Sequence, residues 1–218
     1  IFLRQLLKFQ VPSPYHKPTI KAANFWIKPY LELFRLVRHF GSLKFDELRL
    51  FGLQLTDYRD FDHIVSRIEQ FRIEKAQNQG NYRRFYQEYI YSELREIYSD
   101  KIQSGKTKTR ETNDASISTF LSTQSSNLRD YADACFRYLR VTGLVNISQL
   151  GKSISIVPEK IQEVDYFLQN TDREPCYIAD ERQYIAYLGN PQLPTLFTDN
   201  RELLEQRIRK EFPHIQIS

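Results

Sequence analysis

The fold is decided by the stretch LRDYADACFRYLRVTGLVNISQLGKSISIVPE, residues 128–159. Residues 128–140 repeat apolar side chains at the spacing of an amphipathic helix, and Thr142-Gly143 ends it. The remaining residues alternate apolar and polar side chains around a turn at 150–152, which predicts a β-hairpin. Because a lone hairpin is only marginally stable, it must pack against the helix. A helix that runs directly into such a hairpin is typical of the recognition helix and wing of a winged-helix DNA-binding module.

The predicted helix has one apolar face and one cationic face. Successive residues turn by about 100° around a helix axis. On that wheel the apolar side consists of Leu128, Tyr131, Ala132, Cys135 and Leu139. The opposite side consists of Arg129, Asp133, Arg137 and Arg140. The first set is expected to pack in the core, and the second set is expected to face solvent or a partner.

Segments upstream predict further helices. Residues 1–10 have helical spacing, and the prolines that follow end that helix. A second helix ends at Gly41, in the position where a glycine commonly follows a helix, and Ser42 is expected to cap a third. Residues 56–77 predict a fourth helix with a regular apolar face. Helix, short turn, helix, then helix is the layout of a helix-turn-helix core, although many all-α bundles share it.

A polar segment separates these helices from the stretch that decides the fold. Residues 104–126 are rich in Ser, Thr and Lys, which predicts a linker or surface loop. Its alternating cations, Lys106, Lys108 and Arg110, fit either a solvated connection or a basic strand that becomes ordered on phosphates. The linker divides the chain into a helical helix-turn-helix-like subdomain, residues 1–103, and a winged-helix subdomain with C-terminal helices, residues 127–218. The predicted fold is therefore mainly α, with helix-turn-helix and winged-helix subdomains and a small β-hairpin wing.

The composition is that of a globular protein. Of the 218 residues, 41% are apolar and 27% are charged, and the net charge of +4 is too small to establish a nucleic-acid partner by itself. Two cysteines cannot form a disulfide framework, and the sequence has neither a signal peptide nor a long apolar run. We therefore expect a cytoplasmic protein with no membrane partner. The chain starts at Ile1 and contains no Met, which suggests a piece of a longer polypeptide.

The sequence contains no recognisable catalytic or metal-binding pattern. A PD-(D/E)xK nuclease holds a divalent metal with two or three carboxylates and positions water with a lysine, yet neither Glu-x-Lys nor Asp-x-Lys occurs. The histidines lack the spacing of a zinc site, and there is no Gly-rich phosphate loop. We therefore expect no catalytic residues, no metal ligands and no cofactor in this chain.

Five blocks of sequence, taken in order, resemble a known enzyme family. They are IFLRQLLKFQVPSPYHK, FGSLKFDELRLFGL, YADACFRYLRVTGLV, ISIVPEK and YLGNPQLP. Together they resemble the N-terminal recognition region of AlwI-like type IIS restriction and nicking endonucleases. The resemblance implies a plan similar to that of FokI-type nucleases, in which winged-helix-like subdomains bind a short asymmetric site. A separate C-terminal PD-(D/E)xK domain then cuts the DNA with magnesium, so this chain corresponds to the recognition half without its nuclease domain.

The resemblance directs attention to basic residues that could contact double-stranded DNA. A helix fits the major groove, where Arg pairs with guanine and Asn pairs with adenine. Candidates for base or phosphate contacts are Arg129, Arg137 and Asn127. Arg140, close to the wing, is expected to contact phosphate. Lys152, at the hairpin tip, is expected to contact the DNA backbone or the minor groove. Further phosphate contacts are expected from Lys106, Lys108 and Arg110, with Arg83 and Arg84 as candidates of lower rank.

Two other functions fit the same predicted elements. A winged-helix transcriptional regulator usually binds a symmetric site as a dimer, whereas a type IIS recognition module is expected to bind an asymmetric site as a monomer. A protein-interaction module is the third possibility, because winged helices also bind proteins and the net charge is modest. That function predicts no salt-sensitive binding to DNA.

Overall fold

The computed structural model describes residues 2–17, 25–103, 114–148, 150, 152–178 and 180–189. In these residues the protein is mainly helical, with one small antiparallel sheet of three strands, as the sequence predicts for the fold class. The helices are α1 Phe2–Lys8, α2 Pro29–Phe40, α3 Phe45–Leu50, α4 Phe61–Gln77, α5 Tyr82–Ile97, α6 Ser99–Gln103, α7 Asp114–Val141, α8 Ile161–Asn170 and α9 Glu181–Gly189. The strands are β1 Ser42–Lys44, β2 Val145–Ile147 and β3 Ser153–Ile156.

The described residues fall into two compact units that interleave along the chain. The first unit comprises the described parts of Ile1–Arg35, Thr56–Arg59 and Val157–Ser218. The second unit comprises the described parts of Leu36–Leu55 and Asp60–Ile156. This division does not coincide with the sequence-based one, because segments from both ends of the chain share a unit.

The first unit buries several charged side chains, and each has a partner. Glu32 is 1% exposed and accepts two hydrogen bonds from the Arg173 guanidinium, at 3.0 and 2.7 Å. The buried amine of Lys28 donates to the Asp172 carbonyl at 2.7 Å, and that of Lys8 donates to the Tyr187 carbonyl at 2.8 Å. Desolvation by burial lowers the pKa of Lys28. A charged side chain would be costly to bury without a partner. These contacts therefore determine how the charged side chains pack inside the unit.

The sheet of the second unit has the strand order β1-β3-β2, with both pairings antiparallel. The β2–β3 hairpin follows the sequence prediction, whereas β1 was not expected. Ser42 was predicted to cap a helix, and that prediction is wrong because Ser42 is extended and pairs with Ser155. Helix α3 begins three residues later, where the Glu47 carboxylate accepts a hydrogen bond from the Lys44 backbone amide at 2.8 Å.

Helix α7 is 28 residues long and begins inside the segment that was expected to be a linker. The linker prediction is wrong for residues 114–126, which form the first half of this helix. The few apolar side chains of this segment are enough to hold it against the core as a helix, because Leu121 is buried in one cluster with Leu128 and with Leu94 of α5. Tertiary packing thus overrides the weak helix preference of Ser and Thr. Residues 104–113 lie outside the described part of the chain.

A buried ion pair joins α4 to the start of α3. Arg72 approaches Glu47 through two nitrogens, with Nε 2.8 Å from Oε1 and one terminal nitrogen 2.7 Å from Oε2. The same guanidinium donates to the Ser42 carbonyl at 2.8 Å and lies 4.4 Å from the ring centroid of Phe40. Glu47 is 2% exposed, so this contact is part of the core. It fixes the place where β1 ends and α3 begins.

Candidate nucleic-acid interface

The C-terminal half of α7 packs on the core through four buried side chains. They are Leu128, Ala132, Phe136 and Leu139. Phe136 was absent from the predicted apolar face, yet it is 3% exposed and its ring meets Phe45 edge-on at 5.6 Å. Tyr131, which was expected in the core, is 63% exposed, so that prediction is wrong. The buried face of the helix is therefore rotated toward position 136. A helical wheel alone could not show which residues of α3 lie against that position.

Cys135 is half-buried at the edge of this face. Desolvation raises the pKa of its thiol to about 11, so the thiol stays protonated at neutral pH. A protonated, partly buried thiol is a poor nucleophile. Packing of Cys135 against the core was expected from the sequence, and its environment agrees with that expectation.

The cationic side of α7 faces solvent, as the sequence predicts. Arg129, Arg137 and Arg140 are exposed, and so is Asn127. Arg137 pairs with Asp133, with 3.1 Å between Nε and Oδ2. Within the described part of the chain, neither of the other two arginines has an ion-pair partner. The helix therefore presents three guanidinium groups on a surface that no described element covers.

The passage from α7 to β2 is set by Thr142 and Gly143. The Thr142 hydroxyl donates to the Leu139 carbonyl at 2.5 Å and accepts from the Leu144 amide at 3.2 Å. Gly143 has φ of +72°, a left-handed conformation that favours glycine. These two residues end the helix and turn the chain directly into the hairpin. The arginines at the end of α7 therefore lie next to the hairpin.

The tip of the hairpin is organised by Ser148. Its amide donates to the Ser153 carbonyl at 2.9 Å, and its hydroxyl accepts from the amides of Lys152 and Ser153 at 3.0 and 3.2 Å. The Lys152 carbonyl in turn accepts from the Phe45 amide at 2.8 Å, which ties the hairpin to the start of α3. The Lys152 side chain is exposed, and Leu150 beside it is 77% exposed. A lysine thus projects from a tip whose backbone is held by hydrogen bonds.

Two other sequence candidates lie on a different helix. Arg83 and Arg84 are exposed on α5, and Arg84 pairs with Glu88 at 2.7 Å. Lys106, Lys108 and Arg110 lie outside the described residues. The contacts of these five residues with DNA stay predictions.

The described residues contain neither a metal-binding cluster nor a membrane-spanning helix. Among them, no three His, Cys, Asp or Glu side chains gather closely enough to hold a metal ion. No helix in the same residues is both long enough and apolar enough to cross a membrane. The exposed basic surface of α7 and the hairpin is the candidate interface that these residues offer.

Comparison with known proteins assigns the chain to an enzyme family. The family model described as AlwI restriction endonuclease matches residues 1–213. The chain belongs to the AlwI restriction endonuclease family. Membership of the AlwI family implies a type II restriction enzyme and therefore a DNA substrate. A search of curated proteins finds no match.

Proposed function

We propose that this chain is the sequence-specific recognition module of a type IIS restriction or nicking endonuclease. The observation that supports it most directly is the solvent face of α7. Three exposed arginines lie there immediately before a hairpin with an exposed lysine at its tip. Because phosphate charge dominates affinity for DNA, a cationic helix face beside an exposed hairpin lysine suits the backbone of a duplex.

The order of elements supports a winged-helix interpretation of the second unit. The described elements run in the order α2, β1, α3, then α4 to α6, then α7, β2 and β3, and the sheet has the order β1-β3-β2. Helix α2 belongs to this unit from Leu36 onward. In this interpretation α7 is the recognition helix and the β2–β3 hairpin is the wing. Residues 51–113 are then an insertion between the second and third helices of the module.

The proposed contacts follow from the dimensions of B-DNA. An α-helix enters the major groove, so Arg129, Arg137 and Asn127 would meet base edges or the phosphates that line the groove. Arg140 lies one turn from the hairpin and would meet phosphate. Lys152 would contact the backbone or the minor groove. Phosphate contacts fix the position of the protein, and base contacts determine the sequence that it prefers.

The remaining parts of the proposal concern the parent enzyme. We assign cleavage to a separate C-terminal PD-(D/E)xK domain that would use magnesium, as the family resemblance implies. We also propose that the recognition module acts as a monomer, because a short asymmetric site offers no twofold axis to a dimer.

Selection of bound duplexes from a random library, at 50 and 200 mM salt, tests this function. We expect one short asymmetric site, one protein copy per duplex, and an affinity that falls by a factor of ~10³ or more between the two salt concentrations. A palindrome bound by two copies would instead identify a dimeric regulator. No enrichment at either salt concentration would contradict DNA recognition by this chain.

A control cation on another helix separates the interface from general basicity. The double variant Arg129→Ala, Arg140→Ala is expected to weaken binding to every duplex and to lower the salt slope by about 2, one for each lost phosphate contact. Arg182→Ala removes one exposed cation from α9 of the other unit. It should leave both quantities nearly unchanged.

A further inference from the structure

The three exposed arginines of α7 differ in their surroundings. Arg137 has a carboxylate beside it, because Asp133 lies one turn earlier with Oδ2 only 3.1 Å from Nε. Arg129 and Arg140 have no such partner among the described residues. Both members of the Asp133–Arg137 pair are well exposed, at 61% and 70% of the side-chain surface. The pair therefore lies on the surface that the proposed function turns toward DNA.

The three arginines also differ in direction. At about 100° per residue, Arg137 lies roughly 145° around the helix from the mean direction of the four buried side chains. On the same wheel Arg129 and Arg140 lie only roughly 65–85° from that direction. A side chain opposite the buried face points toward the floor of a groove that the helix enters. Side chains on the flank point toward the walls, where the phosphates are.

Asp133 is hard to explain by folding or by general attraction to DNA. An exposed ion pair between positions i and i+4 adds little to stability. A carboxylate on a DNA-facing surface repels phosphates and weakens binding to any sequence. A role in holding a neighbouring side chain is the remaining benefit, and Arg137 is the side chain that it touches.

The geometry of the pair suits base recognition. The nitrogen nearest to Asp133 is Nε, whereas the fork of two terminal nitrogens is at the far end of the guanidinium. Arginine contacts O6 and N7 of guanine with two donors at once. A carboxylate beside Nε restricts the side chain before DNA arrives, which lowers the entropic cost of making that contact.

We propose that Arg137 contacts a guanine edge in the major groove, that Asp133 is the residue that positions it, and that Arg129 and Arg140 contact phosphates. This assignment rests on the proposed function and deepens it. It gives separate roles to residues that share a charge and a helix. It also predicts at least one G·C pair in the recognition site whose identity depends on Arg137.

The test measures binding of the 218-residue chain to its selected duplex and to every single-base-pair variant of that duplex. Arg137→Lys keeps the positive charge but loses the planar fork. We expect it to retain the salt slope and to lose about 5- to 150-fold of discrimination at one G·C pair. The variants Arg129→Lys and Arg140→Lys should keep the discrimination profile, because lysine still contacts phosphate.

Asp133→Ala provides the readout that a purely structural role would not give. It should tighten binding to a random duplex while lowering discrimination at the same G·C pair by about 2- to 10-fold, the cost of ordering one arginine side chain. The matched control is Asp130→Ala, which removes an exposed carboxylate from the same helix with no arginine at i+3 or i+4. That variant should also tighten random binding, and it should leave discrimination at the G·C pair that depends on Arg137 unchanged.

The outcomes separate the two proposals. Full discrimination at every G·C pair in Arg137→Lys overturns this assignment, and so does an Asp133→Ala variant that behaves like Asp130→Ala. A wild-type chain that selects no site at all overturns the proposed function and this assignment together. All variants are at exposed positions, and unchanged thermal unfolding by far-UV circular dichroism checks that each has folded.

Discussion

Replacing Glu47 with Ala is expected to destabilise the second unit by about 3 kcal/mol. Its carboxylate is 2% exposed and accepts three hydrogen bonds, one from the Lys44 amide and two from the Arg72 guanidinium. Removing one partner of a buried ion pair typically costs ~3–5 kcal/mol. The lower end applies because the Arg72 side chain is 35% exposed and can be hydrated once its partner is gone.

Urea unfolding followed by far-UV circular dichroism measures this cost. The control is Asp46→Ala, which removes a neighbouring acid of the same helix turn whose contact with Arg49 is longer, at 3.7 Å. We expect the control to cost less than Glu47→Ala, because its contact with Arg49 is longer and the Asp46 side chain is 31% exposed, against 2% for Glu47. A loss below about 1 kcal/mol for Glu47→Ala, or equal losses for the two variants, would show that the ion pair does not hold β1 and α3 together.

Three further predictions follow from the packing around α7. In a urea titration, Phe136→Ala should lower the free energy of unfolding by ~3–5 kcal/mol and Tyr131→Ala by less than about 1 kcal/mol. Similar losses for the two variants would mean that the helix is rotated from the orientation described. Gly143→Ala should cost ~1–2 kcal/mol because of its positive φ, whereas Gly80→Ala, with equally open space around it, should be neutral or slightly stabilising in thermal unfolding. The Cys135 thiol should react with a thiol reagent at pH 8 about 100-fold more slowly than a thiol of pKa 9.0, and peptide mass mapping would follow the reaction. A rate typical of an exposed thiol would contradict the desolvation of Cys135.

The local elements around α7 were predictable because they depend on short-range patterns. The apolar spacing of residues 128–140, the turn at Gly143 and the alternation on either side of 150–152 each specify a conformation within a few residues. The same holds for α2 and its terminal Gly41, which has φ of +69°. Exposure of Arg129, Arg137 and Arg140 followed from the same wheel, because charged side chains avoid an uncompensated interior.

Features that depend on distant partners were missed for a common reason. The three residues of β1 look like the approach to a helix, and only pairing with β3 makes them a strand. Residues 114–126 look like a linker until Leu94 and its neighbours supply an apolar surface for them. Phe136 was absent from the predicted apolar face, and Phe45, the ring that it meets edge-on, lies far away in sequence. The Asp133–Arg137 contact was within reach of the sequence, since positions i and i+4 are neighbours on any helix.

The strand order β1-β3-β2 also sets the order in which the second unit can fold. Strands β2 and β3 are joined by a short turn, so their pairing closes a small loop and can form early. Pairing of β1 with β3 closes a loop roughly tenfold longer, at an extra entropic cost of about 2 kcal/mol. The lower entropic cost therefore favours formation of the hairpin before β1 gains its partner. Amide protons of β1 should acquire protection from exchange later than those of the hairpin, which makes edge-strand docking the closing step of refolding.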